Sequence, residues 1–328
     1  MPPPVRTGRR VAIVGLGLIG GSLGMALRAA GGWEVVGHNR HHEAAGRARK
    51  MGAIDRAEWN LPKALEGADV VVLAVAPMAM QKVMADVAPH LEPGAVVTDV
   101  ASTKGDVLAW ASAILPEHVH FVGGHPMAGK EVAGIDAAEA TLFRGSTYCI
   151  LPGERCAPEA VSRVEAIVRA IGAVPYYLDP AEHDSYVAAI SHLPFVAASA
   201  LVASVTASPS WRDMAKLAAG GFRDSTRTAS ADVVMHRDIC LTNREAIVRW
   251  IDAFTDELRG VRDLLTQDLP ADVRQAELEH YFANAKEQRD RWLATRGAEP
   301  VPEQTAAVPS VREGLGQMFF GRRSGRKS

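Results

Sequence analysis

The sequence predicts an α/β domain followed by an all-α domain, and two patterns carry that expectation. From Val11 to about Leu178, short β-branched runs alternate with Ala-rich helical stretches. Such alternation marks βαβ units and a mostly parallel sheet covered on both faces. After Leu178 the strand pattern stops, and Asp179, Pro180 and Glu182 write a helix start: a capping carboxylate, a proline at the first helical position and an acid at the third. These patterns place one domain at residues 1–178 and a helical one at residues 179–295. From about Arg296 the composition turns to Pro, Gly, Gln and Arg, which reads as a disordered basic tail through residue 328.

The expected strands are VAIVG at Val11, WEVVG at Trp33, ADVVVLAV at Ala68, AVVTDV at Ala95, HFVGG at His120, YCIL at Tyr148 and VPYYL at Val174. In the helical half, Ile247, Ile251, Phe254, Leu258, Val261 and Leu265 recur at steps of 4, 3, 4, 3 and 4, a stripe on one face of a long helix. A heptad-like seam suits helix pairing and predicts a homodimer through the helical domain; packing within its own chain is the alternative. Past Leu265 the chain is too short and irregular for a further regulatory domain.

At roughly 150 residues per domain, 328 residues suit two domains and a sizeable core. Lys and Arg total 36 against 38 Asp and Glu, a net charge of −2. That balance offers no general attraction to nucleic acid or an anionic membrane, and points to a small-molecule partner. The tail's Arg322, Arg323, Arg326 and Lys327 lack interleaved aromatics and read as a solvated terminus. Cys149, Cys156 and Cys240 show no framework spacing, which suits a reducing compartment, the cytoplasm. No signal peptide is evident, and the apolar runs Val70–Met80 and Phe195–Val205 fall short of the roughly 20 residues of a membrane span. His41, His42, His118 and His120 lack companions at ligand spacing, so no metal is expected.

Gly15, Gly17 and Gly20 form G-x-G-x-x-G directly after the first strand, with Leu18 and Ile19 opening the next helix. In that context the motif reads as a Rossmann-type dinucleotide cradle, its backbone N–H groups facing a pyrophosphate. An NAD-specific site places an acid at the end of the second strand; here Asn39 stands there with Arg40 next. Arg40 suits a 2′-phosphate, so the cofactor is read as NADP as well as, or instead of, NAD.

Ligands in an open parallel sheet sit outside the carboxyl ends of the strands. Three segments end there: the third strand at Ala76, the fourth in the segment carrying Ser102, and the fifth at Gly123-Gly124-His125-Pro126. Ser102 and His125 are therefore expected near a nicotinamide. Ser102 also reads as a cap for the helix that follows. His192 lies two residues before Pro194, which has no N–H for the Ile190 carbonyl and should kink the helix beside a cleft. His192 reads equally as a structural residue and as a substrate contact.

At this point the sequence resembles the prephenate and arogenate dehydrogenase family. The resemblance rests on GLGLIGGS (15–22), DVASTKG (99–105), GGHPMAGKE (123–131), HDSYVAAISHLP (183–194) and GGFRDSTR (220–227), in that order. It implies an oxidative decarboxylation in tyrosine biosynthesis: hydride leaves the hydroxyl-bearing ring carbon, carbon dioxide leaves the opposite carbon, and the ring becomes aromatic. A neutral histidine titrates close to working pH, which makes His125 the base on the hydroxyl. The family pattern implies that Ser102 orients that hydroxyl and that Arg227 holds the ring carboxylate.

Arg223, four residues before Arg227, shares its face if the helix continues, and is either a second anchor or a partner of Asp224. Lys130 is read as favouring an acidic substrate side chain, or as a surface residue, and Glu131 closes the same motif at the substrate. Many family members carry a second histidine where this chain has Phe195. Arogenate or 4-amino-4-deoxyprephenate as substrate, another hydroxy-acid dehydrogenase, and a non-catalytic dinucleotide sensor remain the alternatives.

Overall fold

β1 (Arg9–Val14) runs into the glycine turn and lies inside the sheet in a computed structural model of the chain, which describes residues 9–295. α1 (Leu18–Ala30), β2 (Trp33–His38), α2 (His42–Lys50), β3 (Arg56–Ala57), α3 (Leu61–Leu65), β4 (Val70–Leu73), α4 (Pro77–Val87), β5 (Val96–Asp99), α5 (Gly105–Ile114) and β6 (His120–Pro126) follow. β7 (Thr147–Pro152), α6 (Pro158–Ala170) and β8 (Val174–Tyr177) complete an eight-stranded sheet of order β3-β2-β1-β4-β5-β6-β7-β8. Every pairing is parallel except β6 with β7. The expected strands are present, and the two-residue edge strand β3 joins them.

Both faces are covered, and the sequence shows why. Along β1, Val11 and Ile13 enter one apolar layer while Ala12 and Val14 enter the other; Val70 and Val72 of β4 separate from Val71 and Leu73 in the same way. Successive side chains of a strand point to opposite faces, so a run apolar at every position needs helices on both. Leu23 and Leu27 of α1 close the first layer, with Val164, Ile167 and Val168 of α6. Met80, Met84 and Val87 of α4 close the second, with Val107 and Ala111 of α5. The strand order reverses between β1 and β4, which opens a crevice at their carboxyl ends.

α7 (Pro180–Val187) starts as its sequence suggests, with Asp179 Oδ1 accepting the Ala181 N–H at 2.8 Å. Residues 188–192 form a π turn before α8 (Leu193–Thr206), so Pro194 produces a π bulge where a simple kink was expected. The joined run 180–206 is long and apolar enough by composition to cross a membrane, which corrects the expectation that every apolar run falls short. It carries the buried His183, Asp184 and His192, and Phe195 packs with Ile239, Ala246 and Ile247.

α9 (Trp211–Leu217), α10 (Gly220–Thr226), α11 (Val233–Thr242), α12 (Arg244–Thr266) and α13 (Ala271–Thr295) follow. The α12 stripe divides: Ile247 is buried and Ile251 packs in its own chain, while Phe254, Leu258 and Leu265 stay exposed. Past Leu265 the chain is less irregular than expected, because residues 271–295 form the single helix α13. The described residues through Leu278 form one compact unit, and a second begins at Glu279. The tail expected from about Arg296 lies outside the described residues.

Carboxylates and hydroxyls tie the helical segments to the carboxyl edge of the sheet. Asp238 of α11 accepts the Met78 N–H at the start of α4 at 3.2 Å. Thr242 meets the Thr103 hydroxyl at 2.8 Å; within the helical segments, Asn243 Nδ2 donates to the Asp184 carbonyl of α7 at 2.7 Å.

Candidate active site

The glycine turn has the shape of a dinucleotide cradle. Gly15 sits at φ +105°, and a Cβ there would lie 2.2 Å from the Ala74 carbonyl oxygen. At Gly20 a Cβ would lie 2.0 Å from the Gly15 carbonyl oxygen, so α1 can close on the strand only through glycine. Above Gly17 nothing lies within 4 Å of the Cβ position, leaving open space at the start of α1. A tight turn, a free approach for a pyrophosphate and close helix packing are the three tasks of such a motif, and the residues fit the group. Leu18 and Ile19 meanwhile turn largely into the core.

At the end of β2, Asn39 Oδ1 accepts the His41 N–H at 3.0 Å, and the exposed Arg40 donates from Nε to His41 Nε2 at 3.1 Å. Ala76 is exposed at the start of α4.

The ends of β5 and β6 carry a buried polar array. Asp99 and Lys104 form an ion pair with no solvent exposure on either side chain. Asp99 also accepts the Ala101 N–H at 2.8 Å and the Gly124 N–H at 3.0 Å, which fixes the turn after β5 against β6. Ser102 is half-buried in that turn. The cap expected of it comes from elsewhere: Asp184 of α7 accepts the Lys104 and Gly105 N–H groups at 2.8 and 2.7 Å.

His125 is buried on β6, its Nδ1 2.9 Å from His183 Nε2, and His183 Nδ1 lies 2.8 Å from Asp184 Oδ1. Burial, with the charges of His183, Lys104 and His192, holds His125 well below the usual histidine range. It is therefore neutral at pH 7, the form a base needs.

The π turn brings His192 to this region fully buried. Asn243 Nδ2 meets its Nδ1 at 3.2 Å, so the ring proton belongs on Nε2, which is buried and meets no partner among the described residues. Desolvation lowers this histidine to about 4. Phe195 stacks face to face on His236, centroids 3.9 Å apart, and tilts against His192 at 6.0 Å.

Among the expected anchors, Arg227 pairs with Glu131 of the loop that follows His125. α10 ends at Thr226 and Arg227 opens a 3-10 turn, so the two arginines do not share a continuous α-helical face as expected. Arg223 instead pairs with Asp224 at 2.9 Å, both largely exposed. Lys130 turns to Glu139 at 2.8 Å and to the Ala137 carbonyl at 3.2 Å. The sequence reading missed Asp99, Lys104, His183 and Asp184 as members of this array; the only signal for the last two is their adjacency in the HDSYVAAISHLP motif.

Comparison with known proteins matches residues 23–177 to the prephenate dehydrogenase nucleotide-binding domain and residues 179–283 to the prephenate dehydrogenase dimerization domain. The chain is 36% identical over 296 residues to a prephenate dehydrogenase of Bacillus subtilis, covering 88% of this chain and 78% of that protein. Among solved structures, prephenate dehydrogenase from A. aeolicus in complex with hydroxyphenyl propionate and NAD+ superposes with a TM-score of 0.79 at 30% identity, covering 88% of this chain and 99% of that one. Synechocystis arogenate dehydrogenase gives 0.73 at 29% identity, covering 86% and 99%. With both domains matched in order across residues 23–283, and a relative 36% identical over 88% of the chain, the chain belongs to the prephenate dehydrogenase family.

Proposed function

We propose that the chain oxidises and decarboxylates prephenate to 4-hydroxyphenylpyruvate. The observation that carries this reading is the His125 imidazole, buried and neutral at the carboxyl end of β6, in the same parallel sheet whose β1 runs into the glycine cradle. Gly15, Gly17 and Gly20 would hold the dinucleotide, which would supply the acceptor for the hydride of the hydroxyl-bearing carbon. His125 Nε2 takes the hydroxyl proton as that carbon becomes a carbonyl. Loss of carbon dioxide from the opposite carbon sends an electron pair through the ring onto the same oxygen, and His125 returns the proton to it. The base thus ends as it began, with no net proton released.

Ser102 orients the hydroxyl, its competing role as a cap having passed to Asp184. Arg227 exchanges Glu131 for the ring carboxylate, whose two oxygens suit the guanidinium fork. His192 offers a neutral Nε2–H donor to the substrate. Lys130, engaged by Glu139, no longer supports a charge preference for prephenate over arogenate.

NAD, NADP or both serve as cofactor in this reading, the exposed Arg40 being the group that would meet a 2′-phosphate. The chain works as a homodimer, its second copy covering the exposed Phe254, Leu258 and Leu265 of α12. The cytoplasm is its compartment, in keeping with free thiols at Cys149, Cys156 and Cys240. The test is reduced-cofactor absorbance with prephenate or arogenate and each of NAD and NADP. Turnover of prephenate is expected, and no turnover with any of the four pairs overturns the reading.

A further inference from the structure

We propose that His183 and Asp184 are positioning residues that hold the His125 proton on Nδ1, and so leave Nε2 bare to act as the base. The inference rests on the reading of His125 as that base. It begins at the start of α5, where the Lys104 and Gly105 N–H groups bond separately to the two Asp184 oxygens at 2.8 and 2.7 Å. Backbone amides can only donate, so they hold the carboxylate in one orientation. Its Oδ1 also lies 2.8 Å from His183 Nδ1.

A carboxylate only accepts, so the His183 proton sits on Nδ1 and its lone pair on Nε2. That lone pair faces His125 Nδ1 at 2.9 Å and requires a donor there. His125 therefore carries its proton on Nδ1, and Nε2 is its free acceptor. The same bonds unite the catalytic groups in one frame. Asp184 grips the backbone two residues after Ser102 and, through His183, the ring on β6.

When Nε2 takes a proton, the imidazolium is buried beside Lys104 and points along the His183 ring to the Asp184 carboxylate, which offsets the charge. The titratable and charged groups around His125 are His183 and Asp184 of α7, His192 of the π turn, Asp99 and Lys104 at the end of β5, Asp106 of α5, and Tyr148 and Cys149 of β7.

Ring nitrogen NMR of the full-length chain, without substrate, reads the tautomer; steady-state kinetics with prephenate read the consequence. The wild type should show Nδ1–H at His125. Asp184→Asn, whose amide can donate to His183, should shift His125 toward Nε2–H and lower kcat by about 10²–10³-fold, with KM changed only a few-fold. Because Asp184 also caps α5, a second pair of variants leaves that cap in place. His183→Gln keeps an oxygen that accepts from His125 and should remain about 10-fold or more faster than His183→Leu, which should lose about 10²-fold or more in kcat.

Nε2–H at His125 in the wild type overturns the proposal. So does a folded His183→Leu with kcat within about threefold of wild type, or an equal loss in Gln and Leu, the mark of simple packing. A wild type that shows Nδ1–H yet leaves prephenate untouched upholds the positioning device and overturns the reading of the reaction.

Discussion

Replacing Lys104 by Met removes one half of the ion pair with Asp99 in a place neither side chain can reach water. Breaking a buried pair by deleting one partner costs about 3–5 kcal/mol, because the remaining charge is left without compensation. Asp99 keeps the Ala101 and Gly124 N–H bonds, which puts the loss at the lower end, about 3 kcal/mol. For a domain of this size each kcal/mol moves Tm by roughly 2–4 °C, so Lys104→Met should melt about 6–12 °C below wild type. The double variant Lys104→Met with Asp99→Asn removes both charges but turns an amide N–H2 toward one of the two N–H groups that Asp99 accepts, so it should recover part of that loss and melt above the sum of the two singles. The assay is thermal unfolding followed by circular dichroism at fixed protein concentration and neutral pH. A single variant within about 3 °C of wild type, or a double variant that loses the sum of the two singles, would refute the claim that the pair is coupled in a water-free site.

His192 gives a pH signature. Its folded value of about 4 lies below the ordinary 6.5, so the unfolded chain binds more protons between those values. Its contribution is fully present above about pH 6.5 and fades as pH falls toward 4, reaching about 2 kcal/mol lost by about pH 5. Wild type should therefore lose more Tm than His192→Gln between about pH 7 and about pH 5; parallel losses would contradict the shift. At the cradle, Gly17→Ala places its methyl in open space and should keep its Tm while weakening NAD binding, whereas Gly20→Ala clashes with the Gly15 carbonyl and should unfold at lower temperature. Calorimetric binding beside melting separates the two, and equal behaviour would count against the assigned tasks. Arg227→Lys should lower kcat/KM for prephenate by about 10-fold or more through loss of the two-pronged contact, and unchanged kinetics would remove the clamp.

Much of the fold was legible because its signals are local. Apolar runs at every position announce a sheet covered on both faces, and Asp179-Pro180 announces α7. β3 escaped because two residues, Arg56 and Ala57, make no pattern at all. The site was legible in part. Gly15, Gly17 and Gly20 speak through spacing after a strand, and His125 through its place at a strand end. The array around the base is non-local: His183 meets His125 across 58 residues and Asp184 meets Lys104 across 80. Lysine in a sequence reads as a solvated side chain, so nothing marked Lys104 as buried before the fold placed Asp99 beside it. Arg223 shows the converse: spacing put it on a shared helical face, and the helix ended at Thr226.

The central claim is a base-assisted aromatisation at His125. The direct test is to incubate wild-type chain and His125→Gln with carboxyl-labelled prephenate and NAD, and to count labelled carbon dioxide against reduced nicotinamide. Equal amounts of the two products from wild type are expected, with the rate reduced by about 10²–10⁴-fold in the variant and cofactor binding retained. Reduced nicotinamide without carbon dioxide, or a variant as fast as wild type, would contradict it.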